Sequence, residues 1–179
     1  MLCERVVQKQ VRIQANKLEL RLAQVLEAIE SFRALAYLPC PIPKGVKRQA
    51  TVRLVGSVAM VKLNSKYRGK NTKTDILSFP TPQIFQKAGV LGELVICWPV
   101  LQAQAREFRH SNSVELDILL IHGSLHLLGM DHENSQKEAL EMAKWEGKVL
   151  KKLWGGGGLS RQKKGLSLIE RAHSGIKTK

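Results

Sequence analysis

In the N-terminal part of the chain the spacing of hydrophobic residues changes from alternation to a helical period. Val7, Val11 and Ile13 alternate with polar residues, and this alternation predicts a half-exposed first strand. Asn16 then precedes apolar residues at helical spacing, so it is predicted to cap a helix. The apolar positions of that helix are Leu18, Leu22, Val25, Leu26 and Ile29. A loop with three prolines follows.

Three short segments in the middle of the chain predict strands. Residues 51–55 are rich in β-branched side chains and alternate, and residues 75–79 form a short segment that prolines stop. Residues 93–98 are almost continuously apolar, which is typical of a strand buried on both faces. Between the first two strands, Ser57 is predicted to cap a short helix that ends at Gly69.

The rest of the core is predicted to be helical. A first helix opens at Pro99 and runs to residue 108, and residues 114–128 form a second helix with little polar surface. Ser135 and Glu138 have the spacing of a capping box, which predicts the start of a third helix. These elements predict an α+β fold, in which a small mixed β-sheet packs against several helices around a central, nearly apolar one.

The composition of the chain changes abruptly after Trp154. Four glycines follow, and then a segment with six cations, one acidic residue and few large apolar side chains. We therefore expect a single domain over residues 1–154 and a flexible, basic C-terminal tail over residues 155–179.

Composition and charge narrow the class of protein. The 179 residues are 44% hydrophobic and 25% charged, which is ordinary for a soluble globular protein, and the most apolar stretch is broken by acidic residues and histidines. Cys3, Cys40 and Cys97 have no paired spacing and the N-terminus has no signal-peptide core, so we expect a cytoplasmic protein without a membrane partner. The net charge of +14 favours nucleic acid as partner, although a basic protein without such a partner remains the alternative.

Three of the five histidines fall in one short segment. His122 and His126 are four residues apart and therefore lie one turn apart on the same face of a helix. Gly129 in a left-handed conformation would end the helix and turn the chain back, bringing His132 toward the same point. Three imidazoles leave a fourth position open for water, as in catalytic metal sites. We expect one Zn²⁺ per chain, although other divalent transition metals accept the same ligands; the alternative is a set of hydrogen-bonded core histidines.

The spacing of these histidines equals that of the long metzincin protease motif. In that motif a glutamate, the general base of peptide hydrolysis, follows the first histidine, and here Gly123 stands in its place. A zinc metallopeptidase would need another base, and it stays open as an alternative function.

Three sequence blocks together resemble one family. Residues 122–132, HGSLHLLGMDH, are similar to the H-G-x-L-H-L-x-G-Y-D-H motif of the YbeY family, with Met130 in place of an aromatic residue. Residues 63–80 resemble the family's L-N-x-x-Y-R…T-D-V-L-S-F-P block, and residues 91–96 resemble its L-G-D/E-I-x-I strand. The three blocks follow each other in the family's order.

The resemblance implies a metal held by His122, His126 and His132, and a catalytic role for Arg68. An arginine can bind a phosphate with two hydrogen bonds, but in the last turn of a helix it also simply complements the helix dipole. The implied function is that of a single-strand-specific, metal-dependent endoribonuclease, which acts in maturation of the 3′ end of small-subunit ribosomal RNA and in ribosome quality control. The implied partners are single-stranded RNA, ribosomal RNA and the small ribosomal subunit or its proteins, with no DNA. The alternative is a non-catalytic ribosome-assembly factor with a structural metal.

Overall fold

The computed structural model describes residues 2–32, 46–130 and 135–158, with side chains over residues 16–32, 46–130 and 135–155. In chain order its elements are α1 (Leu2–Glu30), β1 (Gln49–Val55), α2 (Ser57–Arg68), β2 (Ile76–Pro80), α3 (Gln83–Lys87), β3 (Val90–Cys97), α4 (Trp98–Glu107), α5 (Asn112–Leu127) and α6 (Gln136–Gly158). The described part of the chain is an α+β fold, as the sequence predicts.

The three strands form a small mixed sheet in the order β1-β3-β2. Strand β1 is parallel to β3, and β2 is antiparallel to it. The central strand β3 is buried along most of its length, which confirms the prediction from its continuous apolar sequence. Successive residues of β3 face opposite sides of the sheet. Leu94 and Ile96 therefore belong to the main core, whereas Val95 and Cys97 belong to a second, smaller cluster.

The two faces of the sheet are covered by different helices. On the main-core face lie α1, α5 and α6, whose apolar side chains pack together with Leu94 and Ile96. On the other face, Met60 of α2 packs with Leu77, Val95 and Cys97. Strand β1 carries exposed polar side chains, among them Thr51 and Arg53, and Phe79 of β2 is half-buried.

Helix α5 is the central helix of the main core. Twelve of its 16 residues are buried, and it contacts α1, α4, α6 and the strands β2 and β3. None of the described helices combines the length and the apolar character that a membrane crossing requires.

The predicted N-terminal strand is wrong, because residues 7–13 belong to α1. Asn16 accordingly lies inside this helix and does not cap it. The physical reason is visible in the sequence, since no glycine or proline occurs before Pro39. Val7 and Val11 are four residues apart and continue the helical period of the apolar positions from Leu18 onward. The strand-like alternation covers only a few residues, whereas the helical period of the apolar positions extends over the whole of α1.

Most other predicted boundaries agree with the structure to within one or two residues. Helix α2 begins at Ser57, but its N-cap is Gly56, so Ser57 is a helical residue and not the cap. Gly69 closes this helix in the left-handed conformation, with φ 67°. Ser135 caps α6 as predicted, since the backbone N–H of Glu138 donates to Ser135 Oγ at 3.2 Å, which is one of the two hydrogen bonds of a capping box.

The C-terminal division of the chain stays a prediction. Gly155 has non-helical dihedral angles, φ 65° and ψ 156°, and interrupts α6 directly after Trp154. Residues 159–179 of the predicted tail lie outside the described part of the chain.

A buried carboxylate joins the three helices of the main core. Arg21 of α1 donates from Nε and Nη2 to the two oxygens of Asp117 on α5, both at 2.6 Å. Trp154 of α6 donates from Nε1 to Asp117 Oδ2 at 2.8 Å. The hydrogen bond to Asp117 raises the pKa of the Arg21 guanidinium, and burial opposes this only in part. Asp117 therefore fixes the positions of α1 and α6 relative to α5.

Replacing Asp117 by alanine should lower the free energy of unfolding by about 2–4 kcal/mol, because Arg21 and Trp154 lose their shared acceptor at a largely buried position. Urea denaturation measures this change. The matched control is Glu141→Ala, which removes an ion pair to Lys144 in which both side chains are exposed. This control should change the stability by less than about 0.5 kcal/mol, and equal effects of the two substitutions would contradict the role given to Asp117.

Candidate metal centre

The end of helix α5 turns as the histidine spacing requires. Gly129 has φ 88°, a conformation that other residues rarely adopt. The N–H of Gly129 donates to His126 O at 2.9 Å, and the N–H of Met130 donates to Leu125 O at 3.0 Å. These two bonds form a Schellman motif, which terminates the helix. The prediction that Gly129 ends the helix in a left-handed conformation is thus confirmed, whereas its second part, the return of the chain toward His132, falls on residues outside the described ones.

His122 and His126 lie together on one face of α5. Their ring centroids are 4.7 Å apart and the ring planes meet at 80°. His122 is buried and His126 is half-buried, so the pair leads from the interior toward the surface. The structure therefore brings together two of the three predicted ligands. Within the described ranges no group of three potential metal-binding side chains is assembled.

A carboxylate from α6 holds the inner histidine. His122 Nδ1 lies 2.8 Å from Glu146 Oε1, and both side chains are almost completely buried. In the neutral ring the Nδ1 proton is donated to this carboxylate, so that Nε2 carries the lone pair. A carboxylate bonded to the far nitrogen of a histidine is the arrangement that orients metal-binding imidazoles in proteins. The donor set and its tautomer thus fit a divalent transition metal.

Glu146 is the residue of this site that the sequence analysis missed. The signal was present, because Glu146 lies within the apolar stripe of α6 that buries Met142, Trp145 and Val149. A carboxylate at a core position of an amphipathic helix requires a buried polar partner. The sequence does not say which partner, since 24 residues separate Glu146 from His122.

Gly123 allows α5 to pack closely on the sheet. A Cβ atom at this position would lie 2.7 Å from side-chain atoms of both Ile76 and Leu94. The backbone oxygen of Gly123 also accepts a long hydrogen bond, 3.4 Å, from Ser78 Oγ of β2. The position that holds the catalytic glutamate in metzincin proteases therefore faces the sheet here, and a side chain at this position would have to displace the ends of Ile76 and Leu94.

The loop between α2 and β2 is held by buried polar groups. Asn64 donates from Nδ2 to Thr72 O at 2.7 Å. The Asp75 carboxylate accepts from the backbone N–H of Ile76 at 2.8 Å and from Gln104 Nε2 at 3.0 Å. These contacts give Asp75 a structural function at the start of β2.

Arg68 lies in the last turn of α2 with an exposed side chain. Helix α2 covers the face of the sheet opposite to α5, so Arg68 and the two histidines belong to different layers of the fold. The predicted catalytic role of Arg68 stays a prediction.

Fold and site together define a small α+β protein with paired histidines on a buried helix. A sequence profile described as Endoribonuclease YbeY matches residues 5–154. The Endoribonuclease YbeY of Thermodesulfovibrio yellowstonii is 36% identical over 147 residues, which are 82% of this chain and 92% of that protein. The Endoribonuclease YbeY of Bdellovibrio bacteriovorus is 45% identical over 96 residues, which are 54% of this chain and 61% of that protein.

A solution structure of a Thermotoga maritima protein is also similar, with 29% sequence identity and a TM-score of 0.52. The likeness covers 83% of this chain and 89% of that one. The profile spans most of the chain, including the three sequence blocks and the histidine helix. The chain belongs to the endoribonuclease YbeY family.

The hydrogen bond between Glu146 and His122 predicts the tautomer of the ring in the metal-free protein. Nitrogen-15 NMR should find His122 protonated at Nδ1 and unprotonated at Nε2. In Glu146→Ala the preference should shift toward the Nε2–H form, because the Nδ1 proton loses its acceptor. Glu141→Ala, an exposed residue of the same helix, should leave the tautomer unchanged. An Nε2–H tautomer in the unmodified protein would contradict the assignment.

Proposed function

We propose that this protein is a metal-dependent endoribonuclease that hydrolyses single-stranded RNA in the maturation of ribosomal RNA. The observation that carries the proposal is the pair His122–His126, with Glu146 bound to the far nitrogen of the buried ring. Such a pair on a buried helix supports metal binding, and the relatives are named Endoribonuclease YbeY, which supports cleavage of RNA.

The residues that would hold the metal are His122, His126 and His132. Zinc is the metal we expect, since neutral imidazoles are among its usual ligands, and cobalt, nickel and iron accept the same donors. Glu146 keeps the His122 proton on Nδ1. This carboxylate makes the lone pair of Nε2 more basic and thus a stronger metal ligand. When bound, the metal supplies a Lewis acid that activates water for hydrolysis at neutral pH.

The side chains that would bind the RNA backbone lie on and after α2. Five cations and no acidic residue occur between positions 57 and 74, and all five cations are exposed. They are Lys62, Lys66, Arg68, Lys70 and Lys73. Arg68 is proposed to bind the phosphate next to the scissile bond, where a guanidinium offsets negative charge that develops during hydrolysis.

The net charge of the chain and its family suggest the RNA target and the ribosomal partners. A net charge of +14 provides affinity for RNA that does not depend on sequence. We propose that the natural target is ribosomal RNA near the 3′ end of the small-subunit species. The small ribosomal subunit or its proteins would then supply target selection, and the reaction would take place in the cytoplasm.

The structure disfavours the peptidase alternative, because Gly123 is pressed against the sheet at the position of the protease glutamate. The other alternative, an assembly factor with a structural metal, predicts metal binding without RNA cleavage. Activity measurements therefore decide between this alternative and the proposal.

His126→Ala should lower the metal content from about one divalent ion per chain to well below that level, and cleavage of single-stranded RNA should fall with it. Elemental analysis and a cleavage assay with and without chelator measure the two effects. His173→Ala, which replaces a histidine of the C-terminal tail, should change neither. Full metal content in His126→Ala would contradict the ligand set, and metal binding without any cleavage by the unmodified protein would support the assembly factor.

Arg68→Glu should lower the cleavage rate at saturating RNA at least tenfold, because an attraction for the phosphate becomes a repulsion. The matched control is Arg106→Glu, which reverses an exposed arginine in the last turn of α4 and changes the net charge equally. Metal content and thermal stability should stay unchanged in both variants. Similar rates in the two variants would contradict a specific role of Arg68 and would leave it as a contributor to the overall positive charge.

A further inference from the structure

We propose that Tyr67 is a base-stacking subsite for unpaired RNA, a function that deepens and rests on the proposed ribonuclease activity. Tyr67 lies in the last turn of α2, directly before Arg68, and 56% of its surface is exposed. Exposure alone does not mark a site, since Phe85 is exposed to a similar extent, and the proposal depends on what surrounds the Tyr67 ring.

The Tyr67 ring is held in place by its neighbour on the sheet. Its centroid lies 4.9 Å from that of Phe79 on β2, and the two planes meet at 68°. Edge-to-face packing of this kind is favourable and restricts the rotation of an exposed ring. Phe79 is half-buried and packs against the second cluster. Phe79 therefore orders the Tyr67 ring before RNA binds, which lowers the conformational entropy cost of stacking. Lys66 Nζ lies over one face of the ring, so a base would stack on the opposite face or displace this exposed side chain.

The surroundings of the ring carry positive charge. Lys66 Nζ lies over the Tyr67 ring, 5.0 Å from its centroid, and the five exposed cations of residues 57–74 are interrupted by no acidic residue. Glu93, which pairs with Phe79 across the sheet, is neutralised by Arg53 at 2.6 Å. An aromatic ring flanked by cations matches a nucleotide, whose base stacks while its phosphate binds the cations. An acidic protein partner would match the cations but not the ring.

The subsite lies at the same end of the sheet as the proposed metal site. Tyr67 touches Phe79, which pairs with Glu93 of β3. Leu127, the last residue of α5, packs against the neighbouring Gly92, where an added Cβ atom would lie 2.9 Å from Leu127 Cδ2. The C-terminal ends of α2 and α5 therefore lie near the same end of the sheet, on its opposite faces. An RNA strand stacked on Tyr67 can pass Arg68 and continue around the edge strand β2 toward the histidines.

Such a subsite would favour single strands for a physical reason. A base within a duplex is stacked on both sides and paired, so its face is not accessible to a side chain. A base in a single strand has an accessible face and can stack on Tyr67. Selection of unpaired RNA would then depend on this ring, whereas the cations would attract any RNA.

The test compares Tyr67→Ala with Tyr67→Phe in the full chain, without metal, so that binding is measured independently of cleavage. The probes are a fluorescent oligouridylate and an abasic strand of the same length. Tyr67→Ala should raise the Kd for oligouridylate on the order of tenfold or more, the loss expected for one stacked base. Tyr67→Phe keeps the ring and should stay within about twofold. The slope of log Kd against log salt should not change, because no phosphate contact is removed.

Two controls make the test specific to stacking. Phe85→Ala removes another exposed aromatic ring, 54% exposed on α3, and should not change the Kd. On the abasic strand Tyr67→Ala and the unmodified protein should bind equally. An equal loss on both probes would overturn the inference, because the ring would then act by positioning its neighbours. No loss on either probe would overturn it as well, whereas absence of cleavage with intact stacking would refute only the proposed activity.

Discussion

Helix α5 is enclosed by the sheet and by three other helices, and this enclosure constrains the polar residues that it carries. A buried polar side chain is costly unless a neighbouring element supplies a hydrogen-bond partner. Asp117 obtains its partners from α1 and α6, and His122 obtains its partner from α6. The polar groups of α5 therefore fix the surrounding helices, and Glu146 of α6 in turn orients the ring of His122. The proposed metal site would therefore be preorganised by packing that extends well beyond the proposed ligands.

The sheet separates two tasks of the proposed enzyme. The face covered by α5 carries the histidines, whereas the face partly covered by α2 carries the exposed cations and the Tyr67 ring. The edge strand β2 connects them, since Ser78 contacts Gly123 on one side and Phe79 contacts Tyr67 on the other. The proposed metal ligands and the proposed RNA-binding side chains therefore lie in different layers of the fold, and Arg68 is the residue of the α2 layer that is proposed to act in hydrolysis itself.

Sequence patterns predicted the fold class, the buried central strand and the turn at Gly129, because each depends on local periodicity or on a backbone conformation that few residues adopt. They failed at residues 7–13, where a short alternation was compatible with a helix and no breaker residue decided between them. They also missed Glu146, because its partner is distant in the chain and only the packing of α6 on α5 brings the two together. The motif predicts a set of three ligands, which stays a prediction, but it does not contain the carboxylate that bonds to His122.

X-ray absorption spectroscopy of the metal-loaded protein tests the central claim most directly, because it counts the imidazole rings bound to the metal and is independent of activity. The account predicts three imidazole nitrogens at about 2.0–2.1 Å for zinc, with oxygen as the remaining ligand and no sulfur. A metal bound by sulfur, or by oxygen atoms without imidazole, would contradict the assignment of the site to the end of α5.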